Sequence, residues 1–255
     1  MIKKNLLLVI LFFSVGNATQ GLFFSEYAEG TSNNKYFEIY NGTGADIDLS
    51  EYSISRCVNG CDDGDLTFDY LNDIQFEAGT ILGNRDVYVI CHPSSDTEII
   101  DQCDQEHSYL SNGDDFMALT YAGSTNDNFV VIDQIGIHSN SDPGFGWSVA
   151  GVEDATKDHT LVRKPTVSKG TDNWTVSAGT NENDSEWFVL DLHDWSNLGT
   201  HESYSGCGIF SLVVNMYDSY GDGWNGARYD ISGPDGDFIA SGGFDDGFFH
   251  SDTLC

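Results

Sequence analysis

Whatever chemistry this 255-residue chain performs must be carried by its acids, amides, histidines and cysteines, and their spacing narrows it. Seven histidines (His92, His107, His138, His159, His193, His201, His250) are scattered, with neither H-E-x-x-H nor paired ligand spacing, which argues against a zinc hydrolase. Asp191, His193 and Asp194 lie close enough in sequence to hold a metal, and a turn after the strand at Trp187 explains them as well. Gly146-Trp-Ser148-Val-Ala150 is faintly similar to a nucleophile elbow, but that motif needs a helix after its turn and none is expected, so Trp147 is assigned to the core. Paired carboxylates for glycoside hydrolysis stay open in so acidic a chain, though no pair stands out. The expectation is a protein without a catalytic centre of its own.

Near the end, Asp218-Ser-Tyr-Gly-Asp222-Gly-Trp-Asn225-Gly sets three oxygen ligands, Asp218, Asp222 and Asn225, in a glycine-rich loop able to fold around calcium. It fails as an EF-hand, because Tyr220 and Tyr229 occupy positions where oxygen ligands belong. An Asx-rich turn with Trp224 packed on a small core is the other reading. The string is similar to one that recurs in secreted microbial proteins. Six cysteines suit an oxidising compartment. Cys207 and Cys255 bracket the last segment, and a bridge between them is the expected staple, worth about 4 kcal/mol in a chain-entropy estimate. Cys57 with Cys61, and Cys91 with Cys103, are the pairs nearest in sequence, but sequence alone does not choose among the possible pairings.

Charge excludes more than the motifs do. With 41 acids against 10 bases, a net charge of -31, the chain repels polyphosphate and anionic membrane surfaces, so direct nucleic-acid binding is not expected. Two positive readings are a well-hydrated surface and sites for hard cations. Residues 1–18 combine Lys3 and Lys4, an apolar run from Leu6 to Val15 and small residues at Gly16 and Ala18, the pattern of a cleaved signal peptide. No later stretch is apolar enough to span a bilayer, so the mature chain is expected to be secreted or held at the cell surface. Asn41-Gly-Thr, Asn173-Trp-Thr and Asn183-Asp-Ser are glycosylation sequons that chance explains equally well.

The elements that must position these residues are strands. Tyr36–Tyr40, Val87–Cys91, Phe116–Tyr121, Phe129–Ile137 and Phe210–Tyr217 alternate or run apolar, and no long segment repeats at helical spacing. Asn41-Gly42, Asn59-Gly60, Asn112-Gly113 and Asn225-Gly226 are expected to take the positive φ angles of tight turns. One short helical turn is expected near Thr97 to Cys103. A boundary is placed in the small-residue stretch before Cys207, giving a signal peptide (1–18), a sandwich-sized module (19–202) and a small β module (203–255).

From Leu22 to His201 the order of short signatures resembles a lamin tail domain. LFFSEYAEGTSNNKYFEIYNGTGADIDLSEYSI opens it, followed by NGDDFMALTY, VIDQIG, GFGW, TLVRKP and the pair Glu186-Trp187 ahead of LGTH. The resemblance implies an immunoglobulin-like β-sandwich. Neither the coiled-coil rod nor the prenylation box of nuclear lamins accompanies it, and the chain looks like the exported bacterial or algal versions. Those tend to be non-catalytic interaction modules beside extracellular nucleases or phosphoesterases. Within such a sandwich Glu26 and Glu38 meet apolar surroundings, and Lys35, Arg163 or Lys164 is expected to pair with them and hold the fold.

The expectation is therefore an all-β, secreted interaction or scaffolding protein whose partner is an extracellular or cell-surface protein or glycan, with calcium possible in the tail. The alternative is an accessory or truncated part of an extracellular nuclease, phosphoesterase or other hydrolase.

Overall fold

An extended backbone throws successive side chains to opposite sides, so a strand that is apolar on both sides needs two covers. A computed structural model describes residues 21–61, 66–202, 212–217, 228–232, 238–243 and 249–254. The chain divides into two units, Met1–Ser203 and Tyr204–Cys255. The described part of the first contains β1 (Leu22–Glu29), β2 (Lys35–Asn41), β3 (Ile47–Asp48), β4 (Tyr52–Cys57), β5 (Tyr70–Gln75), β6 (Ile81–Leu82), β7 (Val87–Cys91), β8 (Gln105–Glu106), β9 (Phe116–Tyr121), β10 (Val131–Ile135), β11 (His159–Arg163) and β12 (Trp187–Leu190). Two short helices, α1 (Thr97–Ile100) and α2 (Trp174–Ala178), join them.

A six-stranded sheet in the order β12-β11-β1-β2-β7-β8 lies against a four-stranded sheet in the order β10-β9-β4-β5. All pairings are antiparallel except β7 with β8. This is the all-β sandwich expected from the alternating segments. Leu22, Phe24, Tyr27, Phe37, Ile39, Leu161 and Trp187 meet Ile54, Met117, Leu119 and Ile135 in the main core. Phe24 and Tyr27 both reach that core although they stand an odd three positions apart, because a bulge at Ser25 resets the alternation.

The opposite side of the six-stranded sheet is covered too. Ala28, Tyr36, Val89 and Cys91 pack with Ile99 of α1 and with Trp195 and Leu198, and the His201 ring lies 4.7 Å from that of Tyr40. Every residue of β1 and β2 is consequently buried.

Turn chemistry follows the sequence at two of the flagged glycines. Asn59 and Gly60 have φ of 56° and 98°, and Gly113 has φ of 105°, the left-handed region asparagine and glycine tolerate. Asn41-Gly42 departs from the expected hairpin turn. Asn41 ends β2 fully buried, and its Nδ2 donates to the carbonyls of Ala45, Leu82 and Gly83, so its side chain ties two loops together. A buried amide engaged in this way is no glycosylation acceptor in the folded chain. Asn173 and Asn183 are exposed. Asn225-Gly226 lies outside the described residues. The helical turn expected near Thr97 is α1, while α2, capped by the Asn173 side chain accepting from the Val176 N–H, was not foreseen.

In the second unit β13 (Leu212–Tyr217) pairs with β16 (Phe249–Leu254), and β14 (Tyr229–Ser232) with β15 (Phe238–Gly242), both antiparallel.

Candidate functional site

Disulfides join Cys57 to Cys61 and Cys91 to Cys103, the two pairs nearest in sequence. Cys207, Cys255, Asp218, Asp222 and Asn225 lie outside the described residues. Trp147 is buried in the core, and a tight Val149–Val152 bridge follows it where a nucleophile elbow would need a helix. Asp191, His193 and Asp194 do not converge as a ligand set among the described residues. His193 Nε2 instead accepts from the Thr31 N–H at 3.1 Å, and Asp194 accepts from Ser196. Cys57, Cys61 and His138 do converge, but the two sulfurs are bonded to each other and offer no thiolate.

The expected pairing of Glu26 and Glu38 with a cation is overturned. These residues sit directly opposite each other on β1 and β2, almost without exposure. Tyr36 donates its hydroxyl to Glu26 Oε1, and Glu26 Oε2 has no partner among the described residues. Glu38 accepts from the Ser25 hydroxyl and the Gly199 N–H, each at 2.7 Å. Burial pushes Glu26 up to about 8, with the neighbouring Glu38 adding to it and the Tyr36 hydrogen bond opposing. Burial likewise pushes Glu38 up to about 7 against its two donors. The cations are engaged elsewhere: Lys35 with Glu29 at 3.1 Å, Lys164 with the Glu182 and Ser185 carbonyls, and Arg163 with Asp133. A buried carboxyl without a counter-ion avoids the cost of an isolated charge by holding its proton.

Asp133 and Arg163 make the fold-holding pair that was sought around Glu26. Arg163 Nη2 lies 2.7 Å from both Asp133 oxygens, linking β10 of one sheet to β11 of the other, and both side chains are wholly buried. Burial raises the Asp133 carboxyl, and Arg163 with the backbone N–H groups of Thr171 and Phe24 pulls it back. Both residues stand in quoted signatures, VIDQIG and TLVRKP, so their position was visible and their partnership was not.

A polar cleft of about 340 Å³ opens at one end of the sandwich, in the size range of small-ligand sites. The turn between β1 and β2, the end of β4, the start of β5 and the segment between β8 and β9 meet there, placing Lys35, Arg56, Tyr70, His92, Tyr109, Asn112 and Asp115 around it. Asp73 fixes the Arg56 Nε, and the guanidinium lies 4.0 Å over the Tyr70 ring and 5.7 Å from the Tyr109 ring centre. Arg56 is 6% exposed, yet its terminal nitrogens have no acceptor among the described residues. Tyr70 and Tyr109 are 49% and 68% exposed. The Asn59 N–H donates to Asp115, and burial raises that carboxyl while Arg56 lowers it. Burial, with Lys35 and His107 nearby, lowers the His92 pKa.

Lys35, His92, Asn112 and Asp115 figured in the sequence reading in other roles, as an ion-pair partner, a scattered histidine, a turn and part of a signature, and Arg56, Tyr70 and Tyr109 did not figure at all. Arg56 belongs to a strand whose apolar pattern hides it, and Tyr70 and Tyr109 stand 39 positions apart, so only folding brings them together.

The family model described as Lamin Tail Domain matches residues 16–139. The matched stretch contains β1 through β10 and ends before GFGW, TLVRKP and Glu186-Trp187, although β11 and β12 complete the same six-stranded sheet. No curated protein and no solved structure matches the chain.

Proposed function

We propose that this chain, whose residues 16–139 match the model of the lamin tail domain, is a secreted, non-enzymatic interaction module that engages an extracellular or cell-surface partner through the cleft around Arg56. The observation that carries this reading is a nearly buried guanidinium with unpaired terminal nitrogens between two exposed tyrosines. Those nitrogens are not sealed from solvent, so they stand ready as donors to whatever enters the cleft. Binding sites typically combine aromatic walls with a few placed polar groups, as here.

Secretion is supported by the signal-like first residues and by two disulfides, which persist in oxidising compartments. No described helix is long and apolar enough to cross a membrane. Calcium held by Asp218, Asp222 and Asn225 is part of the proposal for the second unit, on the oxygen-rich chemistry of that string.

The test is retention of extracellular material by the full chain and by its Tyr109→Ala variant, each immobilised at equal density. Tyr109 is exposed, so its truncation leaves the fold intact. Material held by the wild type and released by the variant is the expected result, and equal retention by both contradicts the assignment to the cleft. Hydrolysis of nucleic acid or phosphate esters by the pure chain, lost in His193→Ala or Asp194→Ala, would instead establish the accessory-hydrolase alternative.

A further inference from the structure

We infer that the occupant of the cleft is a neutral glycan, one sugar ring lying against Tyr109 and Tyr70 while its hydroxyls pair with Arg56 and Asp115. This rests on the cleft being the binding surface and deepens that reading.

Charge decides against the alternatives. The cleft's two cations are already answered: Glu29 pairs with Lys35 and Asp73 with Arg56, while Asp115 adds a third carboxylate. An anionic ligand, whether a uronate, a phosphate or an acidic peptide, would enter a site without surplus positive charge on a chain of net charge -31. A cationic ligand would meet Arg56 and Lys35 directly. What such a balanced site accommodates is an uncharged molecule rich in hydrogen-bonding groups.

Geometry favours a sugar over a peptide. Arg56 offers two adjacent terminal nitrogens in one plane, fixed by Asp73 at Nε and held at 4.0 Å over the Tyr70 ring. Neighbouring hydroxyls on a pyranose match a rigid fork of donors, as the two oxygens of a carboxylate do, but without charge. Asn112 accepts from Lys35 through its carbonyl oxygen, and its amide protons have no acceptor among the described residues. The exposed tyrosine rings provide apolar faces with polar tips, suited to the C–H face of a sugar whose edges are hydroxylated. No exposed strand edge is needed, as a bound peptide backbone would require.

Calorimetric titration of the full chain with cellohexaose, xylohexaose, mannohexaose and laminarihexaose, beside hexagalacturonate, separates the possibilities. Binding of at least one neutral oligosaccharide is expected, with the same affinity in about 20 mM and about 500 mM salt because no charge is neutralised. Tyr109→Ala should weaken it about tenfold or more, and Tyr109→Phe, which keeps the ring, should stay within about twofold, with unchanged melting temperature in both. Binding of hexagalacturonate alone, no binding of any neutral oligosaccharide, or full affinity in Tyr109→Ala overturns the inference. Should the Tyr109→Ala variant release extracellular material that the wild type retains while no neutral oligosaccharide binds, the glycan assignment fails and the cleft stands as the binding surface.

Discussion

Asp133 with Arg163, and Glu26 with Glu38, show two solutions to one problem, a carboxyl sealed between strands. The first is solved by one guanidinium nitrogen shared between both carboxylate oxygens and by two backbone donors, and removing one partner strands the other. Asp133→Asn or Arg163→Leu should therefore destabilise by about 3–5 kcal/mol in urea unfolding, whereas losing the exposed Lys164 to Phe188 contact should cost under about 1 kcal/mol. The second is solved by protonation. Between the ordinary value of 4.5 and folded values of about 8 and about 7, Glu26 and Glu38 hold a proton in the folded chain that the unfolded chain has released. Stability is then fully present below about 4.5 and falls as pH rises through 7 and 8, by up to a few kcal/mol from the pair. His201 works in the other direction: burial, with Arg163 nearby, lowers it to about 4 from 6.5, so its contribution is present above 6.5 and lost as pH falls through 4. The steepest loss of stability should lie above pH 6.5, where only the carboxyls titrate. Melting temperatures at pH 6 and pH 8 check this, and Glu26→Gln should flatten the difference.

Among strands and their connections, the sequence pattern was legible where alternation or apolar runs were strong. Val87–Cys91 and Phe116–Tyr121 are β7 and β9 to the residue, and Tyr36–Tyr40 lies inside β2. What alternation could not reveal was which side of a strand stays polar because something covers it. Alternation sets Tyr36, Glu38 and Tyr40 on the side opposite Phe37 and Ile39 without saying what covers it, and the covering segment around Trp195 and His201 is supplied by chain more than 150 residues away. The cleft was illegible for the same reason: β2, β4 and β5 contribute Lys35, Arg56 and Tyr70 singly, and only folding sets the segment after β8 beside them. Cys91 and Cys103 close the loop carrying α1 and set β8 parallel to β7. Replacing both by serine should cost about 3 kcal/mol in the chain-entropy estimate and loosen the outer cover first. Hydrogen exchange read residue by residue would show α1 and the Trp195 segment opening before β1 and β2.

Two units with different dependencies make up the described chain. The first is held by a large two-sided sheet, a crossing ion pair and two disulfides, while the second, 52 residues long, is below the size at which a core alone is comfortable. Millimolar calcium should therefore raise the melting transition of the second unit alone, and identical melting with chelator and with calcium contradicts a calcium role for Asp218, Asp222 and Asn225. The proposed binding surface lies on the first unit, in the polar cleft around Arg56. Hydrogen exchange of the full chain, with and without the extracellular material it retains, tests that most directly. Protection confined to the neighbourhoods of Arg56, Tyr70 and residues 107–112 is the predicted footprint, and protection elsewhere on the sandwich, or none, contradicts it.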